Sequence, residues 1–216
     1  MKNTEVILKC FGDYASDSKA LGELIRIHFG LLVKWQRIAN LIGLTREEEI
    51  AEFLYIDSFL ALESVSEFLQ KKNLSVSEIS DIGSGAGFPS IFWSFFLPDV
   101  RVILYEPKRK KANFLKDFIR ISNLKNYEVR ELMVGKESIL TDLIISKAAI
   151  NINDWSRFGI SNVRHQGVVV SLLTDETMKI YSKTIEKTPR VSESVILKYT
   201  LPLSKKERFI GVLIKK

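Results

Sequence analysis

A single cysteine, Cys10, stands among the 216 residues. No disulfide can close within the chain, which suits a reducing compartment. There are two histidines, His28 and His165, and neither belongs to a metal-ligand spacing, so no metal centre is expected. Five prolines and eleven glycines leave no room for a long disordered linker. Long apolar runs are missing too. The longest, Ile91 to Leu97, falls far short of the roughly 20 residues that span a bilayer. The opening MKNTEVILKCFGDY lacks the apolar core of a signal peptide, and a cytoplasmic protein is expected. No internal repeat or low-complexity block is present.

What the chain does have is an ordinary globular composition, 46% hydrophobic and 27% charged, enough to bury a core. Its formal net charge of +6 favours a polyanionic partner without requiring one. The first seventy residues read as helical. Leu21, Leu24, Ile25, Leu31, Leu32, Trp35 and Ile38 recur at three- and four-residue steps, which makes one apolar face. Thr45 and Glu48 fit a capping box ahead of a second amphipathic helix through Ile50, Phe53, Ile56 and Leu60. His28 falls on the apolar face of the first helix and reads as a packed residue. From Val76 the rhythm changes to short apolar runs alternating with helices. Strands are predicted over 79–82, 100–105, 127–130, 143–146 and 167–173, and helices from the glycine turn to about Leu97, over 108–122, from 153 and over 175–185. Phe114, Leu115, Phe118 and Ile121 are expected to face inward. His165 is placed in a polar loop, and Met133 in packing. Two last strands, 192–201 and 208–214, are joined by a short polar connection that suits an antiparallel hairpin. The predicted architecture is an α/β fold: a doubly wound, seven-stranded, mostly parallel sheet with an N-terminal helical region. Residues 1–73 form that region, and 74–216 the sheet domain.

In such sheets ligands bind beyond the carboxyl ends of the strands, near the switch in strand order. The first strand-to-helix turn is SDIGSGAGFPS. Gly83, Gly85 and Gly87 give G-x-G-x-G, but a dinucleotide fingerprint needs a small residue at 88, where Phe88 stands. The P-loop fails as well, since no Gly-Lys-Ser/Thr follows. What remains is a turn that admits a ligand against bare backbone, with a helix start behind it that favours a carboxylate. About twenty residues on, the second strand ends at Glu106, where an acid accepts hydrogen bonds from ribose hydroxyls. A ligand with a ribose, an adenine and an anion but no pyrophosphate matches S-adenosylmethionine.

DIGSGAGFP followed by LYEPKRKKANFLKDF resembles the ribosomal RNA small-subunit methyltransferase G (GidB) family. KWQRIANL, YIDSFLAL, VREL, IISKAAININDW and KERFIGVLIKK resemble further family segments, so the likeness covers nearly the whole chain. It implies a methyltransferase fold that transfers a methyl group from S-adenosylmethionine to guanine N7 in 16S rRNA. By that likeness Asp81, Gly83, Ser84, Gly85, Gly87 and Phe88 surround the methionine part, with Asp81 near its amino group or organising the glycine backbone. Glu106 holds the ribose, and Glu131 and Leu132 flank the adenine. Lys147, where the family has arginine, positions the substrate. The partner implied is 16S rRNA or the small ribosomal subunit, met by a monomer away from any membrane.

Guanine N7 carries an in-plane lone pair and needs no general base, so the absence of a nucleophile–histidine pair is consistent with the reaction. The run Lys108-Arg109-Lys110-Lys111 opens a helix against its macrodipole. Phosphate contact is one account of it, and Lys108, Arg109 and Lys111 are the candidate RNA-binding residues. The chain also departs from its family. Phe53-Leu54 stand where a histidine is usual, Gln36 and Ile42 replace asparagine and threonine, and Ser90 replaces glycine. Leu172-Leu173-Thr174 replace a lysine-glycine pair, and Lys147 for arginine loses planar bidentate recognition. These departures spare most cofactor positions and alter several on the substrate side. They leave open a noncatalytic cofactor- or RNA-binding descendant, or a methyltransferase with another RNA target.

Overall fold

The structure is a computed structural model describing residues 8, 11, 18–134, 139–147 and 151–216; Cys10 lies outside them. Seven strands form one sheet: β1 Glu78–Ile82, β2 Arg101–Tyr105, β3 Tyr127–Arg130, β4 Thr141–Ser146, β5 Val163–Leu173, β6 Val191–Thr200 and β7 Glu207–Lys215. Their order is β3-β2-β1-β4-β5-β7-β6. The first five run parallel, and β7 is antiparallel to both β5 and β6. The mostly parallel sheet and its antiparallel edge are as the sequence implied.

Successive side chains of a strand point to opposite faces, and the cores follow that alternation. Ile79, Val102, Leu104, Leu143, Ile145, Val168 and Val170 share one cluster with α1 (Ser18–Ala39), α3 (Asp57–Lys71) and α5 (Arg109–Ile121). Ile82, Ile103, Ile144, Val169 and Leu213 share the other with α6 (Ile152–Asn162) and α7 (Asp175–Ile185). Helix α5 shows how the first face is held. Phe114, Leu115 and Phe118 are fully buried, each stabilising the fold by about 1.5–3 kcal/mol. Ile121, in the last turn, is 44% exposed and does not join them. Among the described residues no helix is long and apolar enough to cross a membrane.

Several local expectations change. The second helical segment, α2 (Glu47–Ile50), starts after Arg46, and no side chain caps it. The helix begins one residue later than a Thr45 capping box requires, and Glu47, Glu48 and Glu49 in its first turn complement the dipole instead. From α2 the chain passes through a π-helical stretch, Ala51–Ile56, straight into α3. Beyond the glycine turn lie only a 3₁₀ turn, Ser90–Phe92, and one helical turn, α4 (Trp93–Phe96). Such a short helix carries little macrodipole, so any ligand anion there is met by individual turn groups. His165 lies inside β5, and Met133 is 62% exposed rather than packed.

Candidate active site

The strand order reverses between β1 and β4, and the functional candidates gather at the carboxyl ends of these strands. On the β1 side all three glycines of the turn adopt positive φ. Two of them need glycine for different reasons. A Cβ on Gly87 would lie 2.6 Å from Ile91 Cγ2 and 3.2 Å from Leu115 Cδ2, so this glycine answers to packing. A Cβ on Gly85 (φ +58°) would meet nothing closer than Gly83 O at 3.7 Å. That backbone faces open space, as a close-approaching ligand requires.

The turn is held by the neighbouring strand. Gly83 N and Ser84 N donate to Tyr105 O at 2.8 and 3.1 Å. Glu106, only 4% exposed, accepts from Gly85 N on Oε2 (2.9 Å) and from Lys108 N on Oε1 (2.8 Å). Each oxygen keeps further acceptor capacity, so the same carboxylate can fix the turn and receive a diol. Its charge beside the start of α5 also eases the Lys108-Arg109-Lys110-Lys111 run, since that helix has no acid in its first turn.

Asp81 is 1% exposed, and neither of its carboxylate oxygens has a hydrogen-bond partner. Burial pushes its carboxyl up to about 7. The Ser90 hydroxyl nearby pulls it down, the Glu106 charge pushes it up, and the Ser84 hydroxyl pulls it down. The turn amide that Asp81 was expected to organise belongs to Glu106 instead. A buried acid with both oxygens unsatisfied is suited to a ligand's ammonium group. Ser84 donates to Asp81 O at 3.0 Å.

Phe88 is turned away from solvent. Its ring packs against His28 and Tyr55, with centroids 5.1 and 4.8 Å away, and supports the turn from behind. His28 is fully buried, as its position on an apolar face implied, and bonds Ala86 O through Nε2 at 2.8 Å. Since that carbonyl only accepts, Nε2 carries the proton, and Nδ1 accepts from the Tyr55 hydroxyl at 2.7 Å. Burial pushes the imidazole down to about 4, against the opposing pull of Ala86 O, and keeps it neutral. The N-terminal helices are thus bonded directly to the glycine turn, a link that no local pattern announced.

Past β3, Leu132 is half-buried, and Glu131 lies 3.9 Å from Lys116. Lys108 and Arg109 are exposed at the start of α5, with Lys111 half-buried.

The β4 side holds a cavity of about 400 Å³, within the range of small-ligand sites. Trp155, Leu172 and Leu173 give it apolar walls, and Lys147, Tyr199 and Arg208 polar ones. Asp57, the first residue after the π-helical stretch, ties the polar wall together. Its Oδ2 accepts from Lys147 Nζ at 2.8 Å, and its Oδ1 from the Tyr199 hydroxyl at 2.9 Å and Arg208 Nε at 3.2 Å. Lys147 also donates to Phe53 O at 3.0 Å. Burial, and then Asp57 beside it, push the Tyr199 phenol well above its usual range, so it stays a neutral donor. The Ser146 hydroxyl donates to Ile82 O at 3.0 Å, which sets this cavity one strand from the glycine turn. Of these residues the sequence named Lys147 as a site residue, and Leu172 and Leu173 as departures from the family on the substrate side. Asp57 and Arg208 lay within YIDSFLAL and KERFIGVLIKK, where the family resemblance had already pointed; nothing in the sequence singled out Tyr199.

Comparison with known proteins bears on this arrangement. The family model for GidB, rRNA small subunit methyltransferase G, matches residues 22–206. A Bacillus pumilus protein named ribosomal RNA small subunit methyltransferase G is 30% identical over 207 residues, covering 90% of this chain and 82% of that one. A Mycoplasma capricolum protein of the same name is 31% identical over 153 residues, covering 68% of this chain and 62% of that one. Among solved structures, an O-methyltransferase from Bacillus cereus in complex with SAH is similar over 97% of both chains, with a TM-score of 0.62 and 17% identity. At that identity it bears on the fold alone.

Proposed function

The chain belongs to the rRNA small subunit methyltransferase G family, and on that premise we propose that it transfers a methyl group from S-adenosylmethionine to N7 of a guanine in 16S rRNA. The observation that carries the proposal is an adjacency. A glycine turn flanked by two buried acids lies one strand from a cavity roomy enough for a purine, whose walls are apolar on one side and cationic on the other.

The residues at the turn fit the cofactor. Gly83, Ser84 and Gly85 supply backbone for close approach, while Gly87 closes the turn by packing and Phe88 braces it. Glu106 receives the ribose hydroxyls and Asp81 the amino group. Glu131 and Leu132 border the adenine. S-adenosylmethionine supplies a methyl carbon made electrophilic by its sulfonium.

The protein's own task is alignment, because N7 presents its lone pair without prior deprotonation. Trp155, Leu172 and Leu173 hold the base plane, and Arg208 offers its guanidinium N–H groups to the guanine O6 acceptor. Asp57 offsets part of the charge on Lys147 and Arg208. That lowers the cost of the positive charge that methylation places on the purine.

The test is incorporation of labelled methyl groups into 30S particles or naked 16S rRNA lacking the modification, followed by base mapping. A guanine N7 product is expected. Cofactor binding with no incorporation into either RNA would leave a binding module in place of an enzyme. The basic start of α5 gives a separate expectation. Lys108→Ala, Arg109→Ala and Lys111→Ala together should weaken RNA binding and lower its salt slope by about 0.7–0.9 for each phosphate no longer neutralised. An unchanged slope would remove these residues from the RNA interface.

A further inference from the structure

The face of the sheet opposite α5 carries a second basic feature, away from the cofactor turn and the base cavity. Between α6 and α7 lies a cleft of about 390 Å³ lined by Arg157, Lys179, Lys183 and Lys187, with Asp154 as its single acid. The three lysines recur every four residues. Helical geometry continues past Ile185 through Lys187 N to Thr184 O (3.1 Å) and Thr188 N to Ile185 O (3.0 Å), so all three lie in one row at steps of about 6 Å.

None of the four cations has an ion-pair partner among the described residues. Like charges on one helix row repel. The α7 dipole accounts for cations at its carboxyl end, Lys183 and Lys187. It does not account for Lys179 in mid-helix, nor for Arg157 facing the same cleft from α6.

The row also has a direction. Thr174 and Thr177, at the start of α7, line the base cavity. Helix α7 then runs away from that end of the sheet, and Lys179, Lys183 and Lys187 follow in order. We infer that the α6–α7 cleft is an RNA-backbone track, which carries the phosphates of the strand flanking the target base away from the cavity. The charge is evenly stepped and without ion pairs among the described residues, and a single acid opposes it. That combination suits a regular polyanion, recognised through its backbone rather than its bases.

This inference rests on the RNA-methyltransferase reading. Its test compares wild type with a variant carrying Lys179→Gln, Lys183→Gln and Lys187→Gln, and with a second in which all three become arginine. Binding of labelled naked 16S rRNA and of 30S particles is titrated between 50 and 200 mM salt. The glutamine variant is expected to bind both roughly tenfold or more weakly at the low-salt end, with a salt slope reduced by about 2. The arginine variant should bind as wild type, and S-adenosylhomocysteine binding should be equal in all three.

If wild type binds RNA and the glutamine variant matches it in affinity and slope, the track is refuted while the enzymatic reading stands. Loss of 30S binding with naked-RNA binding intact would also refute it, assigning the cleft to an acidic ribosomal protein. If wild type binds neither RNA, both readings fall together.

Discussion

Replacing Asp57 with alanine is expected to destabilise the protein by about 3 kcal/mol and to slow methyl transfer by about 10²-fold. Asp57 is 4% exposed and receives three side chains, from Lys147, Tyr199 and Arg208. Deleting it strands two cations that are themselves mostly covered, with 25% and 17% of the Lys147 and Arg208 side chains exposed. Leaving a partner charge unpaired in a buried site is the costly way to break such a network. The residual exposure of the two cations sets the figure at the low end of the usual range. For a chain of this size the unfolding midpoint should fall by roughly 6–12 °C. Adding Lys147→Met to Asp57→Ala should recover part of that loss, because one stranded charge is removed. A midpoint within about 2 °C of wild type, less than 1 kcal/mol on the same scale, would show that the network contributes little. The catalytic loss has a separate cause: without Asp57, Lys147 keeps only its bond to Phe53 O, and Arg208 loses the carboxylate that directs its guanidinium at the cavity wall.

The two halves of the site were unequally legible. The glycine turn and Glu106 are separated by one helix and one strand, and their spacing reflects a single β-α-β unit. Local residue types were enough to find them. The Asp57 network is assembled from α3, the end of β4, and strands β6 and β7, with partners about 90 to 150 positions apart along the chain. No period or spacing encodes such a meeting; it exists only once the hairpin has placed β7 between β5 and β6.

The same distinction runs through the fold. Buried strands punctuated by polar residues were read to within one or two positions at most ends. The short polar connection before Glu207 was enough to set the hairpin's sense. The apolar run Ile91–Leu97 misled, because an apolar run of that length has no period to separate a helix from irregular buried chain. Phe92 and Trp93 are fully buried within a 3₁₀ turn and a single helical turn, a shape that hydrophobicity alone cannot specify.

Asp81 carries the second large expectation, a pH dependence opposite to that of most carboxylates. Its folded value near 7 lies above the ordinary value near 4, because burial penalises the charged form. Between about pH 4 and 7 the native protein therefore holds a proton that the unfolded chain has released. Stability falls as pH rises through that window, by up to about 1.4 kcal/mol per unit. Asp81→Asn, which cannot ionise, should remove this slope and raise stability at pH 8.

Cofactor binding should run the other way. If the ammonium of the ligand's amino-acid end meets ionised Asp81, affinity for S-adenosylhomocysteine rises up to tenfold per pH unit below 7 and levels off above it. His28, held near 4, stays neutral throughout and adds nothing to the profile. The asparagine variant should bind about 10- to 100-fold more weakly at pH 8, the worth of a charge-assisted hydrogen bond, with a flat profile. Calorimetric titration from pH 5.5 to 8.5 reads both effects, and proton release on binding below pH 7 gives an independent sign. A variant that is stabilised at pH 8 but binds as tightly as wild type would make Asp81 a buried structural acid, and would move the ligand's amino group elsewhere.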